Sequence, residues 1–306
     1  MATESPIAIY GAIAANVAIA VTKFIVAGVT NSSAMLSEGI HSAVDTGNGL
    51  LLLVGSRLSE RPATQEHPFG HGKELYFWSL IVAVLIFGIG GGASFYEGVM
   101  HVRRPEPMAD PMWNYIVLGA SACFEGTSFT IALRQFLKEA RGRPFWNALH
   151  ASKDPTTYTV LAEDSAALLG LAVAALGVYL SHRLNMPVLD GVASIVIGLL
   201  LAGVAVLLVR ESRGLLIGEG IRPDTAAEIR AIALRQPEVE AVGRPLSMYI
   251  GRDEVLLTLD VQFRAGVPAE AVSRAIGEIE KEVRARFAVI RRIYVEARSN
   301  LQTPDQ

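Results

Sequence analysis

The sequence predicts a polytopic α-helical membrane protein, six transmembrane helices followed by a cytoplasmic α/β domain, and three observations carry that prediction. First, 51% of the 306 residues are hydrophobic and only 19% are charged, with a mean hydropathy of +0.36, whereas an ordinary soluble domain is roughly 25% charged. Second, the charge is unevenly spread. Of 57 charged residues, 29 fall in the last 96 positions, so charge density rises from about 13% over 1–210 to about 30% over 211–306. Third, the front part contains six apolar runs near the length of about 20 residues needed to cross a bilayer core.

The six runs are Ile7–Val29, Ser33–Ser56, Leu75–Val99, Trp113–Leu137, Thr157–Ser181 and Pro187–Val209, joined by short polar loops. The first is too long for a signal-peptide core, lacks a basic leader and runs straight into the second. Lys and Arg concentrate in alternate loops. Arg57, Arg61 and Lys73 precede the third run, Lys138, Arg141, Arg143 and Lys153 precede the fifth, and Arg210 and Arg213 follow the sixth; the opposite loops carry only Arg103, Arg104 and Arg183. Positive charge marks the cytoplasmic side, so both termini and the tail are expected there, with the plasma (inner) membrane as the expected location. The expected domains are 1–210, a transport domain, and 211–306, a cytoplasmic dimerisation domain.

In the tail, Pro223–Gln236 is helix-like. Leu246, Met248 and Ile250 alternate as a weak strand before a turn at 251–253, and Val255, Leu257, Leu259, Val261 and Phe263 alternate as a half-buried one. Val272, Ala275, Ile276, Ile279 and Val283 share a helical face, and Val289, Ile293 and Val295 suggest a last strand. The order α-β-β-α-β suits a two-layer sandwich with its own core.

Composition also excludes. A net charge of −3 and a pI near 6.1 give no polycation for nucleic acid. A single cysteine, Cys123, rules out an intramolecular disulfide framework and any Cys-x-x-Cys knuckle. Gly72-Lys73 is followed by Glu74, so no phosphate-binding loop of an ATP-driven pump is present, and no catalytic triad or cofactor fingerprint points to an enzyme.

The second run contains Glu38, His41 and Asp45, spaced three and four apart and so on one helical face. Ionisable groups cost a few kcal/mol each in hydrocarbon and must face protein, water or a cation. Glu163 and Asp164 lie in the fifth run. Counting rises of about 1.5 Å per residue puts both sets in the middle third of the bilayer. Imidazole and carboxylate suit zinc and its neighbours Mn²⁺, Fe²⁺ and Co²⁺, and they must lose protons to bind them. A site holding either a dication or protons is what a proton-driven exchanger needs; the competing reading is a polar packing network without transport.

The loop before the third run, His67-Pro-Phe-Gly-His71-Gly-Lys73, pairs two histidines that either ligate a second metal or are solvated and capping. Glu125 in the fourth run is a proton relay or a packing residue. Asn16, Lys23 and Asp190 read as interfacial or snorkelling groups. Gly88-Ile-Gly-Gly-Gly92 reads as close helix packing, with a hinge as the alternative.

The His41-x-x-x-Asp45 pair, the His67–Lys73 loop and Asp164, together with six spans and an α/β tail, resemble the cation diffusion facilitator family of zinc-transporter-like cation efflux proteins. The resemblance covers nearly the whole chain. It implies a homodimer exchanging a cytoplasmic divalent cation for protons by alternating access, with a transport site at His41, Asp45 and Asp164, no permanently bound cofactor, and a tail that adds dimer contacts. Zinc comes first as the transported ion, manganese or iron next. Most members carry His or Asp four residues before the span-five aspartate, where this chain has Val160. The fourth ligand is then Glu163, Glu38, water or nothing, and Glu163 requires span five to rotate or distort because adjacent helical residues point about 100° apart. The segments around Asp154 and Leu161–Ala167 are similar to the mitochondrial zinc-exporter branch. All six histidines (41, 67, 71, 101, 150, 182) precede the tail, so it holds no histidine-based zinc cluster. The competing function is a non-transporting membrane scaffold, a partner-binding subunit with a metal-responsive dimer.

Overall fold

The computed structural model describes residues 6–107, 110–139 and 155–299. His150, the orientation markers Arg141, Arg143 and Lys153, and Asp154 lie outside the described residues. The chain forms two compact units: one up to Ser56 together with Tyr76–Arg213, the other Arg57–Leu75 together with the chain from Gly214 onward. The segment 57–75 therefore groups with the tail, where the sequence placed it in the transport domain.

The first unit is a helical bundle. Its elements are α1 (Pro6–Thr30), α2 (Ser33–Ser59), α3 (Glu74–Leu85) continued through a π-helical turn (Ile86–Gly91) into α4 (Gly92–Arg103), α5 (Met112–Glu139), α6 (Pro155–Leu184) and α7 (Val188–Ile217). Four stretches are long and apolar enough to cross a membrane: Glu74–Arg103, Met112–Lys138, Tyr158–Leu184 and Val188–Ile217. The apolar part described in α1 is the shorter Asn16–Thr30. At 27 residues α2 is about 40 Å long, but its polar stripe lowers its hydropathy.

The glycine-rich stretch of the third run makes close contact with α7. Gly91 faces Gly198, and Gly98 faces Gly191, each pair seven residues along from the other on antiparallel helices. A Cβ on Gly98 would lie 2.6 Å from Ile195 N and 2.7 Å from Gly191 O, so only glycine lets these backbones touch. The π-helical turn ends at Gly91 and shifts the helix phase ahead of Ser94, which also enters this contact. Ser194 Oγ then donates to Ser94 O at 2.9 Å and also pairs with Ser37 Oγ of α2.

Two groups expected at the interface are fully inside instead. Asp190 is 0% exposed and caps α2 from another helix, accepting from Ser32 Oγ (2.9 Å), Ser33 N (2.5 Å) and Ala34 N (3.2 Å). A helix start has unsatisfied N–H donors and a positive dipole end, and a buried carboxylate answers both. Lys23 is 1% exposed, with Nζ 3.1 Å from Glu38 Oε2 and 2.7 Å from Ser42 Oγ. A buried ammonium persists only when paired and hydrogen-bonded.

The second unit has α8 (Pro223–Leu234), β1 (Val239–Val242), β2 (Leu246–Gly251), β3 (Glu254–Phe263), α9 (Ala269–Arg286) and β4 (Ile290–Arg298). The order is α-β-β-β-α-β, one strand more than expected. The extra strand is short, four residues, and gives too few alternations to be read from the sequence. β1 and β2 lie end to end along one edge of β3, both antiparallel to it, while β4 runs parallel along the other edge. Pro245, which has no N–H to donate, separates the two halves of that broken edge strand. Val255, Leu257, Leu259 and Val261 of β3 share one core with Ile229 and Ile232 of α8 and Ile279 and Val283 of α9, so both helices cover one face of the sheet.

Candidate functional site

α2 presents Glu38, His41, Ser42, Asp45 and Asn48 at spacings of three and four, which continues the expected stripe by one turn. Facing it are Glu125 and Ser128 of α5 and Val160, Glu163 and Asp164 of α6. Between these helices lies a cavity of about 180 Å³, lined by Asp45 and Ser42 of α2, Glu125 and Ser128, Val160, Glu163 and Asp164, with Asn16 and Ile19 of α1.

The wedge between α2 and α5 explains how neighbours on α6 both reach it. Glu163 turns toward α2, where Asn48 Nδ2 donates to its Oε1 at 2.8 Å, and Asp164 turns toward α5, where Ser128 Oγ donates to its Oδ2 at 3.1 Å. The roughly 100° between adjacent side chains straddles the cavity, and neither rotation nor distortion of α6 is required for both to line it.

His41 is 2% exposed and stands behind Asp45, its Nε2 3.4 Å from Asp45 Oδ2 and without a hydrogen-bond partner among the described residues. Asp45 Oδ1 is likewise unpartnered. Glu38 is not on the cavity wall; it is held by Lys23, with its other oxygen against Gly170 of α6. No group of three or more His, Cys, Asp or Glu is assembled as a ready metal cluster among the described residues.

The loop histidines sit in the second unit. The His67 and His71 rings lie 4.6 Å apart at 38°, and His71 Nδ1 is 3.2 Å from Pro62 O. The same loop is docked on the tail. Phe69 lies under the Arg292 guanidinium (5.4 Å), Lys73 Nζ donates to Leu216 O at 3.2 Å, and a Cβ on Gly72 would lie 2.8 Å from Gly251 Cα. Arg292 is itself bound to Glu254 at 2.8 Å, and that hydrogen bond raises its already high pKa. Tyr249, on β2, has its phenol pushed up by burial and by the nearby Glu219.

The structure brings the expected Asp45, Glu163 and Asp164 onto one cavity wall and leaves His41 and Glu38 off it; Ser42 and Ser128 on the wall, and Asn48 bonded to Glu163, were not singled out from the sequence. Asn48 was findable, because it falls at the next step of the 38-41-45 spacing. Ser42 and Ser128 carry no signal outside the fold.

Helical stretches long and apolar enough to cross a membrane, closed around a cavity with four carboxyl groups on its wall, give the build of an integral membrane protein. Residues 9–217 match the family described as the cation efflux transmembrane domain. The chain belongs to that family. It is 34% identical over 236 residues to the proton-coupled zinc antiporter SLC30A9, mitochondrial, of Xenopus laevis, covering 76% of this chain and 42% of that one. It is 30% identical over 260 residues to metal tolerance protein C4 of Arabidopsis thaliana, covering 84% and 57%. It is 23% identical over 296 residues to the manganese efflux system protein MneP of Bacillus subtilis, covering 93% and 92%. The chain thus spans less than half the length of the Xenopus relative.

Proposed function

We propose that this chain is a secondary active transporter that exports a divalent cation, zinc first and manganese or iron next, in exchange for protons. The observation that carries the reading is the donor set around the cavity. In a tetrahedral zinc site with bonds of about 2.0–2.1 Å, neighbouring ligand atoms stand about 3.3–3.4 Å apart. The 3.4 Å between His41 Nε2 and Asp45 Oδ2, with the nitrogen otherwise unpartnered, matches one edge of such a site. Asp164 supplies the third ligand across the cavity. Glu163 supplies the fourth, in the place that Val160 leaves without a donor. Glu38, committed to Lys23, stays outside the set.

Carboxylates bind a dication only when deprotonated, so protons and metal compete for the same oxygens and exchange is built into the chemistry. Glu125, on the same wall, receives protons displaced from the ligands. The names of the Xenopus and Bacillus relatives support a proton-coupled zinc or manganese flux. All six helical stretches span the membrane in this reading, with both termini cytoplasmic and the α1–α2 turn on the opposite side. The functional unit is a homodimer to which the tail adds contacts, and His67 and His71 hold a second ion. The location remains the plasma (inner) membrane, and fractionation decides it against the mitochondrial location in the Xenopus relative's name.

In proteoliposomes with an imposed pH gradient, the wild type should move Zn²⁺ against the proton flux. Asp45→Asn and Asp164→Asn should abolish exchange while eluting as the same folded species. Normal exchange in either variant would overturn the site.

A further inference from the structure

A second polar void, about 410 Å³, lies at the end of the same bundle that carries the α1–α2 turn. Its wall includes Asn31, Ser33, Glu97, His101, Arg104 and Glu106. Glu97 and His101 are four residues apart on α4, so their side chains leave one face a turn apart, roughly 5–6 Å between Cβ atoms. His101 is only 9% exposed, yet it borders this void. Buried polar groups are ordinarily satisfied by protein, water or an ion. The α1 and α2 side offers only neutral polar groups here, while Glu97 and Glu106 outnumber Arg104.

The void and the carboxylate cavity share α1 and α2 as walls. The Phe24 ring borders the void and packs on Gly39, where a Cβ would be 3.0 Å away. The adjacent Lys23–Glu38 pair ties α1 to α2, and Ser42, bonded to Lys23, lies on the cavity wall.

We propose that Glu97 and His101 form a further, weaker site for a first-row divalent cation at the end of the bundle that carries the α1–α2 turn. An oxygen and a nitrogen donor at this spacing suit zinc and its neighbours, and the remaining positions fall to water, which keeps the ion exchangeable. The site serves as a release station for an ion leaving the cavity; that role rests on the transport reading, whereas binding does not.

The test is Zn²⁺ titration by calorimetry into the full chain in detergent, carrying Asp45→Asn, Asp164→Asn, His67→Ala and His71→Ala to silence the other sites. One residual equivalent should remain. It should vanish in His101→Ala and weaken by about tenfold or more in Glu97→Gln, which keeps the shape of the side chain and decides the matter if His101→Ala fails to fold. Absence of a residual equivalent, or one that is indifferent to both substitutions, overturns the site. If the wild type shows no zinc-for-proton exchange but the residual equivalent persists and responds, the transport reading fails and the binding site stands. With Asp45 and Asp164 intact, His101→Ala should slow Zn²⁺ flux while cavity binding is unchanged; unaltered flux removes the release role.

Discussion

Lys23→Met is the most informative single perturbation outside the cavity. The Lys23 ammonium is 1% exposed and has two partners, Glu38 Oε2 at 3.1 Å and Ser42 Oγ at 2.7 Å. Its removal leaves the Glu38 carboxylate without its counter-charge, in a place where Glu38 Oε1 already lacks a partner. Breaking a buried ion pair from one side costs about 3–5 kcal/mol, because the survivor is desolvated and uncompensated, whereas replacing both partners by apolar groups of similar volume is close to neutral. Lys23→Met and Glu38→Met should each lose about 3 kcal/mol or more, and the double variant should fall within about 1.5 kcal/mol of wild type. Unfolding in mixed micelles with increasing denaturing detergent gives the three differences. A Lys23→Met loss under about 1 kcal/mol, or a double variant as unstable as the worse single one, would show that the pair is not the buried, mutually dependent contact described.

Other substitutions test other parts of the scaffold. Gly98→Val should prevent a folded, monodisperse protein, because its Cβ collides with the α7 backbone, while Gly119→Val, with nothing within 4 Å of its Cβ position, should elute normally by gel filtration. Asp190→Ala strips the α2 start of its buried cap and should cost at least about 2 kcal/mol in the same micelle unfolding assay. Phe69→Ala should release the 57–75 loop from the tail at a cost of about 0.5–1 kcal/mol, seen as faster amide exchange in that loop with the rest of the chain unchanged. Asp224 has its pKa lowered chiefly by the Thr225 backbone N–H and then by Arg222. Its contribution is therefore present above the unfolded value of about 4 and lost as pH falls through the lower folded value. Asp224→Asn should flatten that acid limb of the stability profile; an unchanged limb would refute the assignment.

Much of the site was legible because its signal is periodic. Glu38, His41 and Asp45 announce a polar face on an otherwise apolar helix, and such a face has few physical explanations. What the spacing could not say is which member points where. Glu38 and Asp45 look equivalent along the helix, but Lys23, on another helix, claims the first and leaves the second to the cavity. Lys23 and Asp190 were misplaced for the same reason. A lone charge near the end of an apolar run usually reaches the interface, and only the partner across the bundle, Glu38 or the start of α2, makes burial the better solution. Glu163 was misjudged by assuming a flat wall facing α6, when the wall is a wedge that accepts two directions at once. In the tail, the ten-residue alternation of β3 was readable, and the four residues of β1 were too few.

The glycine contact between α4 and α7 has a mechanical consequence. Two helices whose backbones touch at Gly91–Gly198 and Gly98–Gly191 have no side-chain layer in which to slide, so they behave as one strut. None of the residues that line the carboxylate cavity belongs to that strut; all come from α1, α2, α5 and α6. The cap at Asp190 and the Ser37–Ser194 contact fasten α2 to the strut near the α1–α2 turn, a full turn or more from Asp45. The later half of α2 is held as closely on another side: Leu52 is in the bundle core and a Cβ on Gly55 would lie 2.7 Å from Trp78 Cβ of α3, so Asp45 sits between two fixed stretches of one helix.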